Sequence, residues 1–362
     1  MQYNVIGLMS GSSLDGLDIA FVHFEETAGK WEFEIRETAC IPYPEDWRKK
    51  LGSLDNIPAK DYLLLHTSYG HWIGHRVQEF LEQRNLAYRV QLIASHGHTA
   101  FHDPALKMTA QLGDGAAISA VTGIRTITDL RSVDIALGGQ GAPIVPMGEK
   151  LLMPGYDFFL NIGGIANISM NSGNFIGFDI CPANRILNLL AADVPGGMDE
   201  NGQMASMGKV DMTLLGQLNN FEYYRQPWPK SLSNDFGLKQ IFPLIGRSGL
   251  SRENALATYI RHIVQQVSGA LISLKKFLPD NPNPRLLVTG GGAHNKFLIE
   301  SLTSELASGN IDLVVPDDRI VDYKEALVIA LMGALRWRED INVMSSVTGA
   351  SRDSINGAVW SY

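Results

Sequence analysis

An apolar run that breaks into glycines and serines and then resumes restricts this chain more than any other feature. It opens the sequence as "YNVIGLMSGSSLDGLDIAFVHFE" (3–25) and returns in the second half as "YDFFLNIGGIANISM" (156–170). Each stretch reads as strand, glycine bend, strand. The echo is one of pattern; the two stretches are not a detectable sequence repeat. A third bend, in "RLLVTGGGAHN" (285–295), falls between an expected strand and an expected helix. Glycine bends let main-chain N–H groups meet a phosphate at close range because no side chain intervenes. Serine hydroxyls add donors, and a helix N-terminus behind the third bend adds its own pull on anions. A single bend of this kind fits a tight hairpin better. Three in this order point to a nucleotide.

None of the bends has the lysine and Ser/Thr of a Walker loop, and "GGGAHN" lacks the spacing of the dinucleotide fingerprint. A different nucleotide fold is needed. With 362 residues the chain exceeds one ordinary core. Two halves that each carry a strand–bend–strand unit, with a further glycine loop late in the chain, resemble the two-domain α/β, actin/hexokinase-like (ribonuclease H-like) ATPase fold with an inter-domain cleft. The first crossing is expected in the glycine- and proline-rich "LGGQGAPIVP" (137–146). That gives an N-terminal lobe of residues 1–140 plus about 340–362 and a C-terminal lobe of 141–339. A short helix is expected over 108–123, one short helix among loops over 195–237, and long helices at about 251–278 and over 322–340.

Composition excludes several classes. Net charge is −8, with no basic patch, which argues against nucleic acid. No apolar stretch is long enough for a bilayer and no basic leader precedes an apolar one. Two cysteines, Cys40 and Cys181, are too few for a disulfide framework. The expectation is a cytoplasmic protein without membrane or nucleic-acid partners.

Candidate chemistry gathers around a few polar residues. Asp179 in "GFDICPAN" ends an apolar strand ahead of a helix, where a carboxylate can act as a general base or merely cap the helix. Asp15 and Asp18 follow the first bend; Asp15 could orient Mg²⁺ through water, and Asp18 could equally be a strand-edge charge. His96, His98 and His102 stand close together, but without a cysteine partner they read as hydrogen-bonding groups rather than zinc ligands, and His71 and His75 as a surface or core-edge pair. Arg131 could clamp an anion or pair with Asp134. Glu325 opens a helix, where it could serve the helix dipole alone. Cys181 reads as packing.

These pieces together resemble the anhydro-N-acetylmuramic acid kinases, sugar kinases of cell-wall recycling. The matching segments are "GLMSGSSLDGLD", "ASHGHTAFHDP", "LGDGAAISAVTG", "DLRSVDIALGGQGAPIVP", "LNIGGIANIS", "GFDICPAN", "PKS", "TGGGAHN" and "EALVIALMGAL". They run nearly end to end, and the first and fifth are the most diagnostic. The resemblance implies an ATP- and Mg²⁺-dependent enzyme. Its substrate, a small amino sugar, has O6 tied up in a 1,6-anhydro bridge, so water attacks the anomeric carbon while O6 takes the γ-phosphoryl of ATP. The family's water-activating aspartate falls on Asp179. Its phosphate turn falls on Gly11, Ser12, Ser13, Leu14, Asp15, Gly16, Leu17 and Asp18. The nucleotide would also meet Asn161, Gly163, Gly164, Asn167, Gly290, Gly291, Gly292 and Asn295. The sugar would meet Ser95, His96, Gly97, His98, Arg131 and Glu325. Pairing into a homodimer would be in keeping with the family, though no interface stripe stands out.

The chain departs from the family's usual pattern beside the aspartate, where GFDTGPGN is usual. Ile180 replaces a threonine, and Cys181 and Ala183 replace glycines. His98 stands where a glutamine follows "SHG", and "LSNDFG" follows "PKS" in place of a TGRE-like stretch. Because lost glycines alter how closely a sugar can approach, the acceptor is expected to be the anhydro sugar or a related one. Two other classes stay open: a nucleotide-gated binding or assembly protein that hydrolyses ATP onto water, and an inactive paralogue that keeps the scaffold.

Overall fold

A computed structural model describes residues 1–361 except Ser12, Asp55, Gly173, Pro279 and Asp280. The phosphate-turn expectation for Ser12 therefore lies outside the described residues. The chain divides into two compact units, Met1–Met153 with Tyr323–Tyr362, and Pro154–Asp322.

In the first unit the opening pattern forms an antiparallel meander of β1 (Gln2–Ser10), β2 (Gly16–Thr27) and β3 (Lys30–Pro42). Next come β4 (Leu92–Ser95), a separate hairpin of β5 (His98–Asp103) and β6 (Met108–Leu112), and β7 (Thr126–Thr128). β4 lies parallel to β1, β7 parallel to β4, and the C-terminal strand Ala358–Trp360 closes the sheet's far edge. The second unit has β8 (Phe158–Ile162), β9 (Ile165–Ser172), β10 (Asn174–Pro182), β11 (Arg285–Thr289) and β12 (Asp312–Val314). Its order is β10-β9-β8-β11-β12, against β3-β2-β1-β4-β7 in the first unit. An antiparallel meander continued by two parallel strands is thus built twice. This is the α/β topology expected of the actin/hexokinase-like class.

Period-two alternation decides what each strand buries. In the second unit Phe158, Leu160, Ile162, Ile168, Met170, Phe178, Ile180, Leu286 and Val288 belong to one core with Tyr259, Ile263, Val267 and Leu271 of the helix Arg252–Lys275. That helix begins where Ser251 accepts from the Asn254 N–H, an ordinary N-cap. His262 is fully buried in it, with Nδ1 on Asn219 Oδ1 at 2.7 Å and Nε2 on the Tyr224 hydroxyl at 3.1 Å. Burial lowers its pKa to about 3. The folded unit refuses a proton that the unfolded chain accepts below about 6.5. Stability from this group is therefore complete above that value and is lost as pH falls toward 3, at up to about 1.4 kcal/mol per pH unit. The urea midpoint should fall between pH 6.5 and 4, and His262→Gln should flatten that dependence. Parallel pH curves for the two proteins would contradict it.

The chain crosses between units at 153/154 and 322/323, where the sequence reading placed the crossings at 140/141 and about 340. The helix Val145–Leu152 stays with the first unit because Gly148 packs directly on Val328 and Glu149 forms a buried ion pair with Lys324 at 3.2 Å. The helix Asp318–Trp337 starts earlier than expected and carries a non-helical residue, Tyr323, at the crossing. Residues 108–112 form a strand and not the start of a helix. Gly113 has φ +119° and Asp114 accepts from the Ala116 N–H, so the helix begins only at Gly115. Where one short helix was expected over 195–237, several occur, among them Gln203–Met207 and Met212–Asn219.

Candidate functional site

Strand register assembles the polar residues of the second unit. Thr289 pairs with Asn161, Asn161 with Asn167, and Asn167 with Asp179. Directly paired residues point to the same face, and here it is the face opposite the apolar core. One row across four strands therefore holds Asn161, Asn167 and Asp179 together with Thr289, which sequence reasoning missed. The Thr289 hydroxyl is buried and has no hydrogen-bond partner among the described residues. Its signal was present, a hydroxyl residue just before a glycine bend, but only the pairing of β8 with β11 places it in the row.

The two bends of this unit lie side by side, and their glycines differ. A Cβ on Gly290, whose φ is +82°, would meet Asn161 Oδ1 at 2.5 Å and the Ile162 carbonyl at 2.9 Å. Gly292 is equally tight against the Ile162 side chain. These two are glycines because the bends touch each other. Gly163, Gly164 and Gly291 are open: a Cβ there would come no closer than 3.5, 3.8 and 3.5 Å to another residue. Their main chain can be approached by a ligand. Asn295 is engaged as N-cap of the helix Lys296–Ala307, accepting from the Leu298 N–H at 3.0 Å.

Asp179 is half-buried and held from several sides. The Tyr223 hydroxyl donates to its carbonyl at 2.6 Å, its own N–H donates to the Lys230 carbonyl at 3.2 Å, and the Leu232 N–H donates to Oδ2 at 2.8 Å. A β-bulge after it takes Ile180 out of register, a device that re-aims neighbouring side chains. Burial raises the Asp179 carboxyl, and the Leu232 N–H opposes the rise only in part. A carboxylate of raised pKa is a stronger base than an ordinary one. Tyr223, Lys230 and Leu232 come from "EYYRQPWPKSL", where the sequence singled out only "PKS" and gave none of its residues a role. Ile180, Cys181 and Ala183, the departures beside Asp179, are all buried in the apolar core. Their side chains fill space behind the row instead of altering its polar face. Burial pushes the Cys181 thiol up, as suits a packing residue.

In the first unit, Gly11 begins the bend between β1 and β2, and a Cβ on it would meet nothing nearer than Ser13 Oγ at 3.6 Å. Ser13 and Asp15 are exposed, whereas Leu14 packs at the edge of the core and Leu17 lies within it. Gly16, Leu17 and Asp18 already belong to β2. Ser95 pairs in parallel with Leu8, which brings the end of β4 next to the strand that feeds the bend. The Ser95 hydroxyl is buried without a partner among the described residues. His96 donates from Nδ1 to the Gly97 carbonyl at 2.8 Å and accepts at Nε2 from Arg131 Nε at 2.8 Å. Burial first, and then the Arg131 charge, lower His96 to about 3, so it stays neutral. Arg131 also donates to the Gly141 carbonyl at 2.7 Å. Asp134, the alternative ion-pair partner, is occupied by the Gly141 N–H and the Thr348 hydroxyl. Glu325 is reachable by solvent yet crowded by protein. That crowding raises its carboxyl against the pull of Lys324 and Arg131. A cavity of about 290 Å³ in this unit is lined by Ser95 and His96 together with Thr109, Gln111, Asp129 and Trp360. His98 is buried and takes part in a separate hydrogen-bond chain; His102 bonds Thr109, and His71 and His75 are exposed.

Among the described residues no group of three or more His, Cys, Asp or Glu could hold a metal ion. The donor set fits a cation carried in on a ligand and met through water better than a resident one. No helix among the described residues is long and apolar enough to cross a membrane.

Comparison with known proteins agrees with the motifs. The sequence model of the family described as anhydro-N-acetylmuramic acid kinase matches residues 3–362. The anhydro-N-acetylmuramic acid kinase of Hydrogenovibrio crunogenus is 33% identical over 368 residues, covering 98% of this chain and 97% of that one. The enzyme so named from Haemophilus influenzae is 33% identical over 386 residues, covering 98% and 97%. Among solved structures, the activator of the 2-hydroxyisocaproyl-CoA dehydratase from Clostridium difficile with bound ADPNP is 14% identical with a TM-score of 0.46, covering 94% of this chain and 96% of that one. With a family match that leaves out only its first two residues and relatives this similar across nearly their full length, the chain belongs to the anhydro-N-acetylmuramic acid kinase family.

Proposed function

We propose that the protein uses ATP to open the 1,6-anhydro ring of anhydro-N-acetylmuramic acid with water and to phosphorylate O6, giving N-acetylmuramic acid 6-phosphate. The observation that carries this reading is Asp179, a carboxylate of raised pKa fixed in one polar row with Asn161 and Asn167 and beside an open glycine bend. Asp179 takes a proton from water, whose oxygen bonds to the anomeric carbon as the bond from that carbon to O6 breaks. O6 then accepts the γ-phosphoryl group and ADP leaves. The open glycines Gly11, Gly164 and Gly291 present main-chain N–H groups to the nucleotide, and Gly163, whose N–H is spent on the Ile165 carbonyl at 3.3 Å, leaves room for the phosphates to approach. Ser13, Asn161 and Asn167 add side-chain donors. Ser95, His96, Gly97, Arg131 and Glu325 hold the sugar, with His96 neutral and Arg131 the fixed cation. Asp15 would be the residue to meet, through water, a Mg²⁺ ion brought in on the nucleotide, which would supply charge to offset the triphosphate. Gly290 and Gly292 serve by keeping the two bends in contact.

The test is ADP release with Mg²⁺ in the presence and absence of the anhydro sugar. Release should depend on the sugar, and in ¹⁸O water the label should enter at the anomeric carbon. Release that ignores the sugar would favour the nucleotide-gated binding protein, and label in phosphate alone would mean hydrolysis of ATP.

A further inference from the structure

Four buried polar side chains of the first unit form a single hydrogen-bond chain at the root of the first bend. The Tyr69 and Tyr43 hydroxyls are 2.6 Å apart, the Tyr43 hydroxyl lies 2.7 Å from Ser10 Oγ, and Ser10 Oγ lies 3.0 Å from His98 Nδ1. None of the four is more than 6% exposed. Ser10 is the last residue of β1, and the N–H of Tyr43 also donates to the Asp15 carbonyl at 3.4 Å. Tyr43 therefore holds the bend at both ends, by its side chain before Gly11 and by its main chain at Asp15.

Proton counting gives the chain a direction. Tyr43 spends its proton on Ser10, so Tyr69 donates to Tyr43. Ser10 has one proton and directs it to His98 Nδ1, which must be unprotonated. The ring N–H of His98 is then Nε2–H, directed to the carbonyl of Leu51, the last residue of the helix Glu45–Leu51. Every donor finds an acceptor only with a neutral His98 in this tautomer. An apolar side chain at 98 would strand the Ser10 proton and the Leu51 carbonyl in the interior, where unmade hydrogen bonds are costly. Leu14 of the bend packs in the same cluster as Tyr43 and Leu51, so a shift of these groups would be passed to the bend itself.

We propose that this relay sets the shape of the bend for the nucleotide phosphates, with His98 as the positioning residue that ends it, acting through Ser10 and touching no ligand. The proposal rests on the reading that the bend seats phosphates. Binding of ADP with Mg²⁺ to the full-length protein tests it, alongside the KM for sugar. His98→Met should weaken ADP binding about tenfold in folded protein and leave the KM for sugar in place. His98→Gln, whose amide both accepts and donates, should restore ADP affinity to within about twofold. Tyr43→Phe removes one hydroxyl without changing packing, so it serves where His98→Met does not fold, and should weaken ADP binding in the same way. Unchanged ADP affinity in folded His98→Met or Tyr43→Phe would overturn the proposal, as would a loss confined to the KM for sugar, which would make His98 a sugar contact. Gly11→Val, placed in the open part of the bend, separates the two readings. If it weakens ADP binding while the relay variants do not, the relay alone is wrong. If it too leaves ADP binding intact, the bend is not the phosphate seat and both readings fall.

Discussion

Replacing Asp179 with asparagine should lower turnover by about 10²–10⁴-fold, the range for loss of a general base, while ADP affinity and thermal stability stay close to those of the parent. The reason is that asparagine keeps the shape. Its carboxamide oxygen can still accept from the Leu232 N–H, and the main-chain bonds to Tyr223 and Lys230 do not involve the side chain. Only the capacity to take a proton from water is gone. The pH dependence gives an independent check. A carboxyl whose pKa is raised by burial stays protonated, and so inactive, to higher pH than an ordinary aspartate at about 3.9. The acid limb of kcat/KM should therefore lie above that value and be absent from the residual activity of the variant. Unchanged turnover in Asp179→Asn would remove this residue from the chemistry.

The second large effect separates glycines that look alike in sequence. Gly163→Val should weaken ATP binding by about 10–100-fold, as expected when a branched side chain fills the open space and holds a phosphate away from the charge-assisted contacts of the bend, with little change in Tm. Its Cβ would meet only Asn161 Nδ2 and the Ile165 carbonyl, both at 3.5 Å, so the fold accommodates it. Gly290→Val should behave in the opposite way. Its φ of +82° disfavours any side chain, and the Cβ would collide with Asn161 and Ile162. Destabilisation of about 1–3 kcal/mol or more is expected from backbone strain and overpacking. The check is a paired measurement of nucleotide Kd and urea midpoint on both variants. If Gly163→Val unfolds, or binds ATP as the parent does, the open-bend assignment fails.

Several features were legible because they are local. Strand alternation and the glycine breaks in "YNVIGLMSGSSLDG" and "NIGGIAN" depend on neighbours a few residues away, and they announced the repeated meander and its nucleotide class. His96 and His98 were read as hydrogen-bonding groups, and both make hydrogen bonds. Other features were out of reach. Residues 108–112 became a strand because β5 offered a partner and Gly113 turned the chain. The loss of glycines at Cys181 and Ala183 was expected to alter the approach of the sugar; Cys181 was read as packing, but that Ala183 and Ile180 lie in the core with it was not legible. Which way a side chain points near a β-bulge is set by register, and a motif read in one dimension does not contain register.

From its sequence alone the chain determined its family, its doubled strand–bend–strand pattern and the identity of the acid at 179, since each is carried by short runs of residue types. The tertiary structure decided that Thr289, Asn161, Asn167 and Asp179 form one row, that Gly290 is closed while Gly163 is open, and that Tyr43 grips the first bend at both ends. These are meetings between segments far apart in the chain, and the direction of a side chain at such a meeting depends on pairing and packing that no local pattern encodes.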